Sequence, residues 1–349
     1  MAAAPGRGTP LWPGARYTRE DRDRAIERGM HFLYDKFATR PKYFASYSTD
    51  LLSAFDNIQA TSLDPHLRSM AMRMGRERAR AWRRRYPSLP PNAGVGTVAD
   101  MVYGNDAAEG LGVPDPRMRA QLTAAAAHFK ASDFFPWDPA REPPPRDLPI
   151  PCRACGKENA RGAVICAKCG AKLAMHSAYD LYQDALIASY TGDSTGIPLG
   201  AHYRDVLKWL PRMRPYPQWS ADSQSEYDAA VYAITHVIYT YDSYSRYRVS
   251  RECFPDEFEY LTANLQRAAA DHDAETMGEF LDTLRAFGLD FSDPLIRAGF
   301  DYLLSSQNRD GSWGDPKDPD GYNRYHSTWT AIDGLRDYRW SEVKPCPAR

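Results

Sequence analysis

The stretches Ser306–Pro316 (SQNRDGSWGDP) and Tyr325–Leu335 (YHSTWTAIDGL) carry the clearest indication of this chain's fold. An apolar helical pattern precedes the first stretch, whose Gly and Asp residues favour a turn, and the second repeats apolar residues at helical spacing. Gly311 permits the turn, and the Trp313 ring can pack between neighbouring hairpins. The pair therefore predicts a helical hairpin: an outer helix, a loop and an inner helix.

Asp-Pro dipeptides indicate that this hairpin is repeated along the chain. Asp64, Asp115 and Asp293 each begin the pattern Asp-Pro-x-apolar-Arg, with Asp as the helix cap and Pro in the first turn. Recurrence of this kind is typical of a repeated unit. One predicted helical series covers 22–37, 64–86, 115–132, 198–211, 255–270 and 293–307. The other covers 46–59, 97–110, 176–191, 225–241, 274–287 and 326–338. Together they predict an all-α fold.

The loop also carries a resemblance to known families. Gln307, Gly311 and Trp313 match the QW motif of the triterpene cyclases. Tyr325-His326-Ser327 is similar to the Tyr-His-Thr start of an inner helix in protein prenyltransferase β-subunits, where the His binds zinc. The chain thus resembles the terpenoid cyclase and protein prenyltransferase superfamily. The resemblance implies an (α/α)6 toroid whose central, largely apolar cavity is the active site. The Asp-x-Asp-Asp and Asp-Asp-x-x-Asp motifs of the cyclases are not present.

Composition divides the chain into segments. Residues 134–151 are proline-rich and predict a linker, because proline disrupts helix interiors. Residues 152–174 form a cysteine-containing module, and residues 1–20 are expected to be a flexible N-terminus. Residues 21–133 and 175–340 are assigned to the toroid.

The cysteine module predicts a zinc ribbon. Its two CxxC pairs are separated by ten residues, and Gly156 and Gly170 follow the pairs directly. Two such turns can direct all their thiolates at one tetrahedral ion, and the four ligands leave no open position for catalysis. A structural zinc is the natural interpretation, and iron in a rubredoxin-like site is the alternative. The four ligands are Cys152, Cys155, Cys166 and Cys169.

The second helical series carries polar stripes at helical spacing. If these helices lie at a surface, the stripes face water; if they form an inner ring, the stripes line a cavity. The stripes are His176, Asp180 and Asp184; Asp228, Tyr232, His236 and Tyr239; Glu275, Glu279 and Asp282; and His326, Thr330 and Asp333.

Convergence of the stripes would create a second metal site. His176, His236 and His326 are the candidate nitrogen ligands. Glu279 and Asp282 are candidate ligands or general bases. A shell of this kind suits zinc, iron, manganese or copper. The alternatives are that His236 is a hydrogen-bonded core residue, that His326 is a helix cap, and that the carboxylates face solvent.

Tyr239 is a further catalytic candidate, and it lies in the tyrosine-rich segment 232–247. Aromatic faces can hold an apolar or planar substrate or stabilise a cation. Packing in the core or at its rim is the alternative role for these rings.

Charge and hydropathy exclude some classes of function. The 44 Lys and Arg nearly balance the 45 Asp and Glu, so nucleic-acid binding is not expected, and the basic segment 72–86 is interpreted as a solvated helix face. The sequence has no apolar run long enough to span a membrane. We expect a cytoplasmic protein in which Cys253 and Cys346 are lone thiols in a reducing compartment.

These patterns favour a metal-dependent enzyme that acts in the toroid cavity on an apolar or aromatic small molecule or a peptide side chain. The alternative is a non-catalytic toroid that binds a peptide or a lipid, with the zinc ribbon docking a protein partner.

Overall fold

A computed structural model describes residues 8–347, and almost all of its regular structure is helical. The helices are α1 Arg19–Phe32, α2 Pro41–Thr61, α3 Pro65–Arg85, α4 Val95–Gly110, α5 Pro116–Ala126, α6 Ala131–Phe134, α7 Ala178–Thr195, α8 Tyr203–Leu207, α9 Leu210–Met213, α10 Gln224–Tyr241, α11 Pro255–Ala270, α12 Ala274–Ala286, α13 Pro294–Ser306 and α14 Gly321–Leu335. A π-helical turn, Leu33–Ala38, follows α1. Strands β1 Arg248–Val249 and β2 Val343–Lys344 pair in parallel. The predicted all-α class is confirmed.

The Asp-Pro dipeptides begin helices as predicted. The Asp64 carboxylate accepts hydrogen bonds from the His66 and Leu67 amides at the start of α3. Asp293 accepts from the Leu295 amide at the start of α13. Because these side chains satisfy amides that have no partner within the helix, they fix where each helix starts.

Three predicted helices differ in extent from those in the structure. The helix expected over 198–211 is reduced to the short α8 and α9. Gly200 has a φ of 85°, and Pro211 lacks the amide that a longer helix would need. The helix expected over 115–132 is divided into α5 and α6. The inner helix expected over 326–338 begins earlier, at Gly321, and ends at Leu335.

The described residues form two compact units. The first, here called unit 1, contains 8–89, 100–119 and 241–347, and unit 2 contains 90–99 and 120–240. The expected flexible N-terminus falls partly on residues 1–7, which lie outside the described residues. Within unit 1, Leu11 is buried, and the Trp12 ring lies 5.4 Å from the Phe291 ring.

The loop that joins α13 to α14 packs tightly in unit 1. Trp313 is fully buried, and its Nε1 donates to the Leu303 carbonyl at 2.8 Å. The Gln307 side chain donates to the Ala25 carbonyl at 2.8 Å, which connects the loop to α1. At Gly311, φ is 91°, and a Cβ would lie 2.6 Å from the Arg28 carbonyl oxygen. The motif residues therefore hold α1, α13 and α14 together and are structural in unit 1.

The expectation of two lone thiols is wrong, because Cys253 and Cys346 form a disulfide. These cysteines are 93 residues apart in sequence. Pairing of β1 with β2 brings the segments around them together. The bridge depends on this tertiary contact, which the spacing of the cysteines does not reveal.

Helices α12 and α14 approach each other at two glycines. A Cβ on Gly278 would lie 2.3 Å from the Thr330 carbonyl oxygen, and a Cβ on Gly334 would lie 3.0 Å from the Gly278 Cα. Only hydrogen side chains allow this approach. As a result, the polar stripe of α12 faces the polar stripe of α14 inside unit 1.

Candidate metal centres

Four cysteines in unit 2 lie close enough to bind one metal ion. Cys152 Sγ lies 3.5 Å from Cys169 Sγ, and Cys155 Sγ lies 3.7 Å from Cys166 Sγ. Tetrahedral coordination with metal–sulfur bonds of about 2.3 Å separates the sulfurs by about 3.8 Å. The spacing therefore fits one tetrahedral ion.

The two halves of this module have the same backbone geometry. The Gly156 amide donates to the Cys152 carbonyl at 2.7 Å, and the Gly170 amide donates to the Cys166 carbonyl at 2.9 Å. Both glycines have positive φ, near 70°, which residues with a Cβ adopt only with strain. These turns are the knuckles that the CxxCG pattern predicts.

Backbone amides also favour the thiolate form in the second knuckle. The amides of Cys169 and Lys168 lower the pKa of Cys166 to about 6. A metal binds the thiolate and not the thiol, so these amides prepare the ligand for coordination.

The cysteine module is anchored to the preceding proline-rich segment within unit 2. Arg161 forms ion pairs with Glu142 at 2.8 Å and with Asp147 at 2.6 Å. The Ile150 amide donates to the Ala174 carbonyl at 2.8 Å. Trp209, just after α8, donates through its Nε1 to the Pro139 carbonyl at 2.7 Å. The segment expected to be a linker is therefore fixed at both of its ends.

Unit 1 contains a second group of metal-ligand type, formed by Glu275, Glu279 and His326. One ligand atom from each residue lies within 4.8 Å of the others. His326 Nδ1 lies 3.0 Å from Glu275 Oε1. Neighbouring ligands on an ion with bonds of about 2.1 Å are about 3.0 to 3.5 Å apart. Two of the three groups thus already have the separation of adjacent metal ligands.

Helix geometry explains this convergence. Glu275 and Glu279 are four residues apart on α12, so they lie on one face. His326 lies on the facing side of α14, and its neighbour Ser327 donates to Glu275 Oε2 at 3.5 Å. This second contact orients the carboxylate from outside the group.

Aromatic rings enclose His326. The Tyr322 ring stacks on the imidazole with a centroid separation of 4.9 Å, and the Trp329 ring contacts it edge-on at 5.6 Å. Tyr325 donates its hydroxyl to Asp50 Oδ2 at 2.5 Å on the adjacent side. The side chains of His326 and Glu275 are only 13% and 10% exposed. The group therefore combines polar ligand atoms with an apolar wall.

The charges around His326 are predominantly negative. Burial alone would lower the pKa of His326, but Glu275, with help from Glu279 and Asp50, raises it to about 9. A cation is therefore favoured at this point of the structure, whether it is a proton on the imidazole or a metal ion.

Comparison of the chain with family models, curated proteins and solved structures found no match. The interpretation of both centres therefore depends on their own geometry. Within residues 8–347, no helix combines the length and the apolar character needed to cross a membrane.

Asp282 continues the α12 stripe but has different partners. Ser245 Oγ lies 2.9 Å and 3.0 Å from its two carboxylate oxygens. Burial and the neighbouring Asp333 raise the pKa of Asp282 to about 7. Ser245 ends a run of three residues with positive φ, Ser243 to Ser245, a conformation that costs free energy outside glycine. The turn directs the hydroxyl onto Asp282, which is therefore suited to holding a proton.

The remaining predicted site residues lie in unit 2. His236 Nδ1 lies 2.8 Å from the Tyr232 carbonyl oxygen, one helical turn earlier, and its ring contacts the Tyr239 ring at 5.5 Å. His176 lies near Asp180 and Asp184. Burial raises the pKa of both carboxyl groups, and His176 opposes this rise only in part. Within residues 8–347, neither His176 nor His236 belongs to a group with metal-ligand spacing. The three-histidine site stays a prediction. Of the three histidines, His326 alone belongs to such a group among the described residues.

Glu275 is the ligand candidate that sequence reasoning did not select. It belongs to the predicted α12 stripe, in which the sequence pattern favours Glu279 and Asp282 as ligands or general bases. Its position one turn before Glu279 was the available signal. The choice between the two neighbours of Glu279 depends on the crossing at Gly278, which places Glu275 opposite His326.

Proposed function

We propose that this protein is a metal-dependent enzyme whose reaction centre is formed by Glu275, Glu279 and His326. The proposal depends on one observation: a ligand atom from each of the three residues lies within 4.8 Å of the other two. Salt bridges in interiors usually join two groups, whereas this centre brings two carboxylates to one imidazole. A metal ion would balance that excess of negative charge.

The donor set restricts the metal. One imidazole nitrogen and carboxylate oxygens suit zinc, iron or manganese better than a thiolate-preferring ion. Three protein ligands would leave positions for water or substrate, as in catalytic and unlike structural sites. A bound ion of this kind polarises a substrate oxygen or lowers the pKa of a coordinated water.

The surrounding residues supply orientation and proton storage. Tyr322 and Trp329 hold the imidazole between two rings, and this limits its rotation. Asp282, with a pKa near 7, can hold a proton one turn beyond Glu279 on α12. The apolar wall around the centre supports a substrate with an apolar or aromatic body, either a small molecule or a peptide side chain.

The ring arrangement belongs to the proposal as well. Six helical hairpins closed into an (α/α)6 toroid like that of the terpenoid cyclases are supported by the Asp-Pro helix starts and by the packed QW-type loop. In the cysteine module we propose structural zinc, supported by four thiolates at tetrahedral spacing.

Metal analysis of the purified protein tests the reaction centre. We expect two metal ions per chain in the wild type and one in His326→Ala, because the cysteine module keeps its own ion. Glu279→Gln keeps the side-chain volume and should also lose the second ion. His66→Ala is the matched control, since His66 is exposed on α3. A single ion per chain that survives both site variants would contradict the proposal.

Catalysis is tested separately with a panel of aryl esters, aryl phosphates and aromatic amides. Turnover that is lost in His326→Ala and Glu279→Gln but kept in His66→Ala would support an enzyme. Two ions per chain with no turnover of any panel member would favour the non-catalytic alternative.

A specific observation also favours a docking role for the cysteine module. Val164 and Ile165 lie between its two knuckles and are 61% and 52% exposed. Contiguous exposed apolar surface often marks a contact site, and these two side chains are neighbours in sequence. Cross-linking in cells, followed by mass spectrometry, should recover fewer partner cross-links from a Val164→Ser, Ile165→Ser variant of unchanged metal content. Equal recovery would exclude this surface.

A further inference from the structure

We propose that a groove beside the start of α14 binds the anionic group of an aromatic ligand. The groove is formed by the π-helical turn, the first residues of α2 and the loop before α14, all in unit 1. That this ligand is the substrate of the Glu275–Glu279–His326 centre depends on the function proposed above. The binding of the anion does not depend on it.

The groove has the size of a small-molecule site. Its volume is about 560 Å³, within the range of about 300 to 1,000 Å³ that is common for ligand pockets. Phe37 and Tyr43 form one wall, with ring centroids 4.7 Å apart. Gly321, the first residue of α14, lies against both rings, and a Cβ there would be 3.0 Å from Tyr43 Cε1.

The charge of the groove is positive although the whole chain is nearly neutral. Lys36, Arg40 and Lys42 line it, and among the described residues none of the three forms an ion pair with a carboxylate. The remaining charged groups, Arg324 and Asp310, pair with each other at 2.7 Å. Three cations without a carboxylate partner therefore share one concave surface, where an anion would be attracted.

Arg40 is held in position by the backbone. Its Nε donates to the Asp35 carbonyl at 3.1 Å, which leaves the terminal nitrogens of the guanidinium to bind an anion. The Lys42 ammonium lies 5.8 Å from the Tyr43 ring centre. A ligand with a planar ring could thus contact Tyr43 while its charged group meets Arg40 and Lys42.

Aromatic rings connect this groove with the metal-ligand group. The Tyr43 ring stacks on Tyr47 at 6.5 Å, and Tyr47 contacts Tyr322 at 6.3 Å. Tyr322 in turn stacks on His326 at 4.9 Å. Successive ring contacts therefore connect Tyr43, in the wall of the groove, to His326 in the metal-ligand group.

These contacts select a ligand class: a planar aromatic body that carries a carboxylate or a phosphate group. Phenyl phosphate and benzoate are the two probes of this class. Inorganic phosphate has the charge without the ring, and benzyl alcohol has the ring without the charge. Titration calorimetry of the metal-loaded protein should rank one of the aromatic anions above both partial probes.

The charge is tested with the double variant Arg40→Gln, Lys42→Gln. We expect the Kd of the better aromatic anion to rise at least about tenfold, since hydrogen bonds to charged groups typically contribute this much. The double variant Arg84→Gln, Arg117→Gln removes two exposed arginines elsewhere and should change the Kd less than about twofold. Tyr43→Leu should reduce the affinity for the aromatic anion to the affinity measured for inorganic phosphate.

Three results would overturn the proposal: no heat of binding for either aromatic anion, an unchanged Kd in the Arg40, Lys42 variant, or equal losses in both double variants. His326→Ala separates this proposal from the metal centre. If that variant keeps the affinity for the aromatic anion, the groove binds independently of the metal. If it loses the affinity while the Arg40, Lys42 variant keeps it, the anion binds at the metal, and the groove proposal fails while the proposed function stands.

Discussion

The cysteine module and the Glu275–Glu279–His326 centre gather ligands in opposite ways. The module takes its four thiolates from 18 consecutive residues, and two glycine turns direct them inward. The Glu–His centre joins α12 to α14, and its residues are up to 51 positions apart. Its ligands are positioned by the packing of two helices and not by local turns.

This difference implies a different dependence on metal. A small module with few buried apolar residues, Leu173 among them, is expected to need the proposed ion to maintain its shape. The α12–α14 pair is buried along its length, so Glu275, Glu279 and His326 should stay in place whether or not a metal is bound. The module should therefore fold with its ion, whereas the centre should bind an ion after folding.

The largest expected effect is the loss of the module on metal removal. Structural zinc contributes about 10 to 16 kcal/mol of binding free energy in small domains, and this energy is coupled to folding. Cys155→Ser combined with Cys169→Ser should therefore abolish amide protection across residues 150–174 in hydrogen exchange. Protection of α12 and α14 should be unchanged. Equal losses in both regions would show that the two regions do not differ as we propose.

The second expected effect concerns Asp282, the member of the α12 stripe outside the metal-ligand group. Its folded pKa, near 7, lies above the value of about 3.9 in an unfolded chain. Between these values the unfolded state releases a proton that the folded state retains, so stability falls as pH rises. The loss is at most about 4 kcal/mol, from 1.4 kcal/mol per pKa unit.

Asp282→Asn removes this loss while keeping an oxygen that accepts from Ser245. Urea unfolding from pH 5 to 8 should show the variant gaining stability over the wild type up to about pH 7, with no further gain above it. Asp35→Asn changes an exposed carboxylate, 58% accessible, and serves as the control. A constant difference between Asp282→Asn and the wild type across this range would show that Asp282 is ionised throughout.

The contrast between the two regions also explains what the sequence could predict. The Cys152-x-x-Cys155 spacing determines local geometry, so the module and its four ligands were predictable. Helix starts such as Asp293-Pro were predictable for the same reason. The partnership of Glu275 with His326 was not, because it depends on how two helices cross. A periodic stripe defines a helix face but does not identify the residue opposite it.

The third expected effect comes from the disulfide, which joins two segments of unit 1 through a tertiary contact. Replacing Cys253 and Cys346 together with serine should reduce the unfolding free energy by about 2 to 4 kcal/mol. Hydrogen exchange should increase at β1 and β2, which the bridge holds together. The metal content of the module should not change. Alkylation of the unfolded, unreduced wild type should modify four cysteines, and modification of six would contradict the bridge.

The smallest expected effect tests the helix crossing that positions the Glu–His centre. A Cβ on Gly278 would lie 2.3 Å from the Thr330 carbonyl oxygen, so Gly278→Ala must separate α12 from α14. Overpacking typically costs about 1 to 3 kcal/mol, although alanine favours a helix by about 1 kcal/mol over glycine. We expect a net loss of stability in urea unfolding, together with weaker binding of the second metal ion.

Gly96→Ala is the matched control, because Gly96 also lies in a helix, α4, and nothing lies within 4 Å of its added Cβ. This variant should gain up to about 1 kcal/mol from helix propensity alone. If the unfolding free energy falls in Gly278→Ala but rises in Gly96→Ala, the α12–α14 contact is tight. If Gly278→Ala gained stability like Gly96→Ala and kept its second ion, the centre would not depend on the helix crossing, and the contrast with the cysteine module would be lost.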